Sequence, residues 1–180
     1  DSIDQVEISK GSGSFLYGSG AMAGTVNILT KNPDPDQTDL NLKAGYGTGN
    51  TRFFSVENGL YLTEDFGYYL TLGQEDTDGQ RDNGAMTQKT GSLKLVYDIN
   101  DSLQLSLFGL FLDKEFGKPG IQPASGTTTH TVNGEAFYND EAASLKDSGT
   151  NQDNYLVTEL QSQVSNSLKL KLKSYYSFMD

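Results

Sequence analysis

The sequence predicts an all-β protein whose main body is about seven antiparallel strands, and three observations carry that prediction. From about residue 39 onward apolar residues recur at every second position, and no window holds a helical period. The runs are about 10–12 residues long, which at roughly 3.3 Å per residue and a tilt of about 45° spans about 25 Å. Leaving aside the first turn, the connections alternate in length, so that one end of an up-and-down sheet collects tight turns and the other collects long polar loops. That asymmetry is the pattern of a transmembrane barrel. Alternation alone equally describes a soluble sandwich or lipocalin-like barrel with its apolar face turned inward, so the loops decide in favour of the membrane.

The elements follow in order. Asp1 to Ile8 already alternates like a strand; a glycine-rich stretch, Gly11 to Gly20, separates it from a second strand, Thr25 to Lys31. Asn32-Pro33-Asp34-Pro35-Asp36 cannot continue a sheet ladder and marks a boundary. Beyond it, Leu40, Leu42, Ala44 and Tyr46 share one face; Phe54, Val56, Leu60 and Leu62 form the second run; Phe66, Tyr68, Leu70 and Leu72 the third. Leu93, Leu95 and Tyr97 are the fourth, Leu103, Leu105 and Leu107 the fifth, Tyr155 and Val157 open the sixth, and Leu168, Leu170 and Leu172 alternate with Lys169, Lys171 and Lys173 in the seventh. Thr48–Asn50, Thr63–Asp65, Asn100–Asp101 and Ser165–Asn166 are tight connections, whereas Thr77–Thr87 and Glu115–Asn151 are long. Tyr46, Phe66, Tyr97, Tyr155, Tyr175 and Tyr176 near strand ends suit interfacial girdles. A chain that starts and stops in strand pattern, without an initiator Met, reads as an internal piece of a longer protein.

Composition narrows the function. With 13 Lys+Arg against 24 Asp+Glu, the 180 residues carry a net charge of -11, the wrong sign for a nucleic-acid groove. There is no Cys and a single His, so thiolate chemistry, disulfides and multi-His metal centres are excluded. No apolar run approaches the ~20 residues of a membrane helix. Gly18-Ser19-Gly20-Ala21-Met22-Ala23 fits a dinucleotide fingerprint in letters only, since a strand follows where a helix is needed. No serine-nucleophile motif is present. An enzyme is therefore not expected, and neither is a resident cofactor.

The candidate binding residues lie on the two long loops. Asp78, Arg81 and Asp82 belong to the acidic run from Glu75 to Asn83, and His130 and Tyr138 to the longest connection. Arg81 suits an anionic ligand. Clustered carboxylates suit a hard cation, which makes Asp76, Asp78 and Asp82 a candidate weak metal site, although Gln80 and Thr87 break the EF-hand spacing.

Val6-Glu7-Ile8-Ser9-Lys10-Gly11, followed by Ser14 through Lys31, closely resembles the end of the plug domain of TonB-dependent outer-membrane receptors. The matching positions are Lys10, Gly11, Ser14, Leu16, Tyr17, Gly18, Ala21, Gly24, Asn27 and Lys31. Lys10 stands where the family usually has arginine, Ser12 replaces a proline, and Ala23 replaces a glycine. In that family barrel strands begin directly after this motif.

The resemblance implies the C-terminal part of a plug domain over residues 1–33 and the N-terminal part of a transmembrane antiparallel β-barrel over residues 34–180. It implies an outer-membrane receptor of a Gram-negative bacterium that takes up a scarce nutrient actively, a ferric siderophore first, with cobalamin, haem or a glycan as alternatives. TonB would act through a part of the protein outside this chain, outer-membrane lipid would surround the wall, and a metal chelate or other small nutrient would be the ligand. A soluble β-rich binding module is the alternative from a different class.

Overall fold

The computed structural model describes residues 2–11, 23–120, 129–132, 135–138 and 146–179, with backbone alone for 129–132, 135–138 and residue 179. Among them there is no helix. Strands β1 (Ile3–Lys10) and β2 (Gly24–Thr30) form an antiparallel pair. The main sheet is a seven-stranded meander of β3 (Asp39–Gly47), β4 (Thr51–Tyr61), β5 (Phe66–Thr77), β6 (Met86–Asn100), β7 (Leu103–Gly117), β10 (Ser148–Ser165) and β11 (Leu168–Met179). A separate hairpin, β8 (Thr129–Val132) and β9 (Glu135–Tyr138), sits within the longest connection.

The register sets two chemically distinct faces, because side chains alternate along each strand and align across the ladder. One cross-sheet row reads Asn41, Glu57, Thr71, Ser92, Leu110, Tyr155, Ser177. The next reads Leu40, Asn58, Leu70, Leu93, Gly109, Leu156, Tyr176. The first face is turned toward β1–β2: Glu57 meets Lys31, and Lys94 meets Thr30. The well-buried side chains Glu57, Tyr69, Thr71, Ser92 and Val96 all lie on it.

The second face carries Leu40, Leu42, Phe54, Leu72, Leu93, Leu105, Leu107, Leu170 and Leu172, and it is open, with Leu42 62% and Leu172 70% exposed. A soluble sandwich would turn these residues onto a second sheet. Here the polar face is turned inward and the apolar face meets the surroundings, the arrangement of a wall in lipid. Asn58, polar on the apolar face, is capped by the Tyr68 hydroxyl and donates to the Asp39 carbonyl. All seven strands, from 9 residues in β3 to 18 in β10, have the length needed to cross the hydrocarbon.

Tight turns gather at one end (residues 62–65, 101–102 and 166–167) and the connections 78–85 and 118–147 at the other. The β3–β4 turn lies at the long-loop end, with Gly49 and Asn50 both at positive φ (66° and 53°).

The sixth run differs from expectation. Val157 pairs with Phe108, which pairs with Lys94, so Val157 and Tyr155 turn inward while Leu156 and Leu160 take the outer face. Val157 and Ile28 of β2 line the same cavity there, so β10 carries apolar residues on both faces and its alternation is ambiguous. Tyr155 and Tyr175 therefore leave the candidate girdle, whereas Tyr46, Tyr97 and Tyr176 remain on the outer face, exposed. The β8–β9 hairpin was not expected either; Asn133-Gly134 between its strands is the strongest short-range hairpin signal a sequence carries.

Candidate functional site

The long-loop end is held together by its own candidate residues. The Asp78 amide donates to the Gly49 carbonyl (2.8 Å), and its carboxylate accepts from Asn50 Nδ2 (3.0 Å). The Thr77 hydroxyl donates to the same Gly49 carbonyl (3.1 Å) and meets Thr51 Oγ1 (2.8 Å). Asp78 thus fixes the left-handed β3–β4 turn. Asp76 accepts from Gln74 and Thr87 (2.8 and 2.9 Å). Asp82 is exposed. No group of three or more carboxylate or imidazole side chains among the described residues is placed to share a metal ion, so Asp76, Asp78 and Asp82 are not gathered into a site.

Arg81 Nη1 donates to the Gly120 carbonyl (3.2 Å), and Asn83 Nδ2 donates to the Asp147 carbonyl (2.8 Å). Gly117 donates to Ala85, and Lys118 to Asp147. The first long loop is therefore stitched to both stems of the second, and a cleft of about 400 Å3 lies beneath, lined by Arg52, Asp76, Asp78, Asn83, Glu115 and Phe116. His130 pairs with Phe137, and Tyr138 with Thr129, along the hairpin backbone. Nothing described brings these two toward Asp78 or Arg81.

The motif in the first segment is described at its two ends. Gly11, at φ 110°, donates to the Ala23 carbonyl, and Lys10 pairs with Gly24 in the ladder. A Cβ at Gly24 would stand 2.7 Å from the Ser9 carbonyl oxygen, which is why this position takes glycine. Asn27 Nδ2 donates to Glu7 (2.9 Å) across the pair. Ser14, Leu16, Tyr17, Gly18 and Ala21 lie outside the described residues.

The remaining motif residue, Lys31, makes the principal contact with the wall. Its ammonium donates to Glu57 Oε2 (2.5 Å) and stands 5.7 Å from the Tyr69 ring centroid. Lys43 of β3 takes the other carboxylate oxygen (3.1 Å), and the Tyr69 hydroxyl donates to Oε2 (3.3 Å). Glu57 is 1% exposed, so its charge is sheltered from water and held by two ammoniums and a phenol. The hydrogen bond to Glu57 is the largest influence on Lys31 and raises its pKa above 10.5. The Tyr69 ring lies over Gly59, where any side chain would collide with it. Sequence reading selected Lys31 and missed Glu57; the available signal was a lone carboxylate on the inward parity of β4. Beside this contact a crevice of about 600 Å3 runs along Asp4, Pro33, Pro35, Asp39 and Asn41.

No family model matches the chain. It is 26% identical over 187 residues to the probable TonB-dependent receptor BfrD of Bordetella pertussis, covering 97% of this chain and 24% of that protein. It is 37% identical over 81 residues to the metal-pseudopaline receptor CntO of Pseudomonas aeruginosa (44% of this chain, 11% of CntO). Over 77 residues it is 31% identical to the vitamin B12 transporter BtuB of Vibrio cholerae (43% of this chain, 12% of BtuB). The crystal structure of the ferric-catecholate import receptor Fiu from E. coli K12 superposes with a TM-score of 0.77 over 98% of this chain and 28% of Fiu; at 17% identity this likeness speaks to the fold.

The wall thus has the fold of a stretch of the Fiu barrel. The sequence relatives include proteins named as TonB-dependent receptors and the fold neighbours include siderophore receptors, and the chain spans about a quarter of the length of BfrD and of Fiu. These relatives are receptors and transporters, not enzymes.

Proposed function

We propose that residues 1–33 are the end of a plug and residues 34–180 the first strands of an outer-membrane barrel that imports a scarce nutrient, with a ferric siderophore as its cargo. The observation that carries this reading is the polarity of the wall: leucines face outward, and Glu57, Lys94 and Lys171 face a plug-like strand pair inward. A charged side chain turned to lipid costs about 2–4 kcal/mol at mid-depth, so this wall is suited to one orientation only.

The residues take roles accordingly. The loop over residues 78–85, stitched to the chain at 117–120 and 147, offers a surface on which a ligand lands. Lys31 ties the plug to the wall through Glu57, on the route along which a pull on the plug would travel. The names of CntO and Fiu, a metal-pseudopaline receptor and a ferric-catecholate import receptor, favour a metal chelate. The likeness to BtuB, a vitamin B12 transporter, supports cobalamin as the second reading.

The test is uptake by the full-length receptor in a Gram-negative host stripped of its own receptors. Cells are offered 55Fe-loaded hydroxamate, catecholate and carboxylate siderophores and labelled cyanocobalamin, with and without TonB. Accumulation of an iron chelate that vanishes without TonB supports the proposal. Uptake of cyanocobalamin alone moves the cargo to the second reading, and TonB-independent passage of all the probes rejects both.

A further inference from the structure

Behind β2 a second cavity, of about 340 Å3, opens against the inner wall of β6, β7, β10 and β11. Its charged lining is Lys94, Lys171, Lys173, Glu159 and Asp4. Glu159 is shared: one carboxylate oxygen meets Lys171 (3.3 Å) and the other Lys173 (2.7 Å). Lys94 is half-buried and enters from another strand. Its ammonium donates to the Thr30 hydroxyl (3.2 Å), and among the described residues no carboxylate lies within 4 Å of it. A half-buried ammonium whose hydrogen-bond partner is neutral keeps donor capacity for an anion. Three ammoniums line the cavity against two carboxylates, in a chain whose overall charge is -11.

We propose that this cavity takes one carboxylate group, with Lys94 as its principal donor and Lys171 and Lys173 supplying the surrounding field. The surplus of one positive charge matches a carboxylate, and Glu159 in the same lining opposes a dianion such as phosphate. The carboxylate has two sources, a small solute passing along the wall or an acidic side chain of the receptor outside residues 1–180. The assignment rests on the receptor reading only in taking this face as the lumen wall.

The experiment titrates propionate, a monocarboxylate, into the full-length receptor in detergent, by calorimetry. Wild type is compared with Lys94→Met, Lys94→Arg and, as control, Lys89→Met, an exposed lysine on the same strand. Thermal midpoints are recorded without the probe. If the carboxylate is a solute, wild type and Lys94→Arg bind, Lys94→Met binds at least about tenfold more weakly, and Lys89→Met is unchanged. If it is the receptor's own, propionate does not bind, and Lys94→Met, unlike Lys94→Arg, lowers the midpoint by several degrees. Should Lys94→Met fail to fold, Lys171→Met, half-exposed, is read in its place for a smaller loss of the same kind. Binding indifferent to these lysines, or no binding with unchanged midpoints, overturns the proposal. The titration does not read uptake, so it stands or falls separately from the transport assay.

Discussion

Replacing Glu57 with Gln in the full-length receptor probes the joint between the β1–β2 pair and the wall. The change keeps the shape of a side chain that is 1% exposed and removes its charge, leaving the Lys31 and Lys43 ammoniums without the carboxylate that both contact. Breaking a fully buried pair by removing one partner costs about 3–5 kcal/mol. Lys31 is 30% and Lys43 49% exposed, so both ammoniums regain part of their hydration, and about 1–3 kcal/mol remains. Lys31 is nearer to the carboxylate (2.5 against 3.1 Å) and less exposed, so it carries the larger share. The assay is a double-mutant cycle of Glu57→Gln with Lys31→Met, read by denaturant unfolding of the receptor in vesicles, with protease access to the β1–β2 pair followed alongside. A coupling of about 1 kcal/mol or more is expected, with faster cleavage there in either single variant. Strict additivity, or a Glu57→Gln variant indistinguishable from wild type, would refute the reasoning.

Other expectations follow from the same geometry. Asp78→Ala frees Asn50 in its left-handed turn; it should cost about 1 kcal/mol and speed amide exchange across residues 47–51, while ligand affinity, by titration, changes little if Asp78 is structural. Leu172→Arg places a charge on the lipid face and should destabilise the receptor in bilayers by about 2–4 kcal/mol in unfolding titrations, whereas Lys171→Leu on the inner face should cost less. Gly117→Ala drives a methyl into the Asn83 carbonyl and should loosen the stitched loops, seen as faster proteolysis there. The pKa of Lys31 is raised by its hydrogen bond to Glu57, so its contribution is fully present below about pH 10.5 and is lost as pH climbs through the raised value. An alkaline unfolding series should show that loss in wild type and not in Lys31→Met.

Most of the wall was legible in sequence because its two faces carry opposite chemistry on alternate residues. Leu168 to Lys173 displays that alternation without interruption, and the seven strands fall where the pattern puts them. The pattern weakened where β10 carries apolar residues on both faces, and there Val157 and Tyr155 took the inner face. The linker at Pro33 and Pro35 separates the strand pair from the sheet as its backbone chemistry requires. Partners that meet across the fold were not legible: Glu57 is 26 residues from Lys31, and Asp78 is 28 from Asn50. Each is an ordinary acidic residue until the register brings it to its partner.

The orientation of the wall is the central claim, and β11 tests it most directly. The chain has no cysteine, so single cysteines at residues 170, 171, 172 and 173 of the full-length receptor, with any cysteine in the flanking chain replaced, can carry a nitroxide label in lipid vesicles. Labels at 170 and 172 should be relaxed by oxygen dissolved in the bilayer, and labels at 171 and 173 by a water-soluble nickel chelate. The reverse assignment, or equal exposure of all four to the chelate, would contradict a membrane wall with its lysines turned to the lumen.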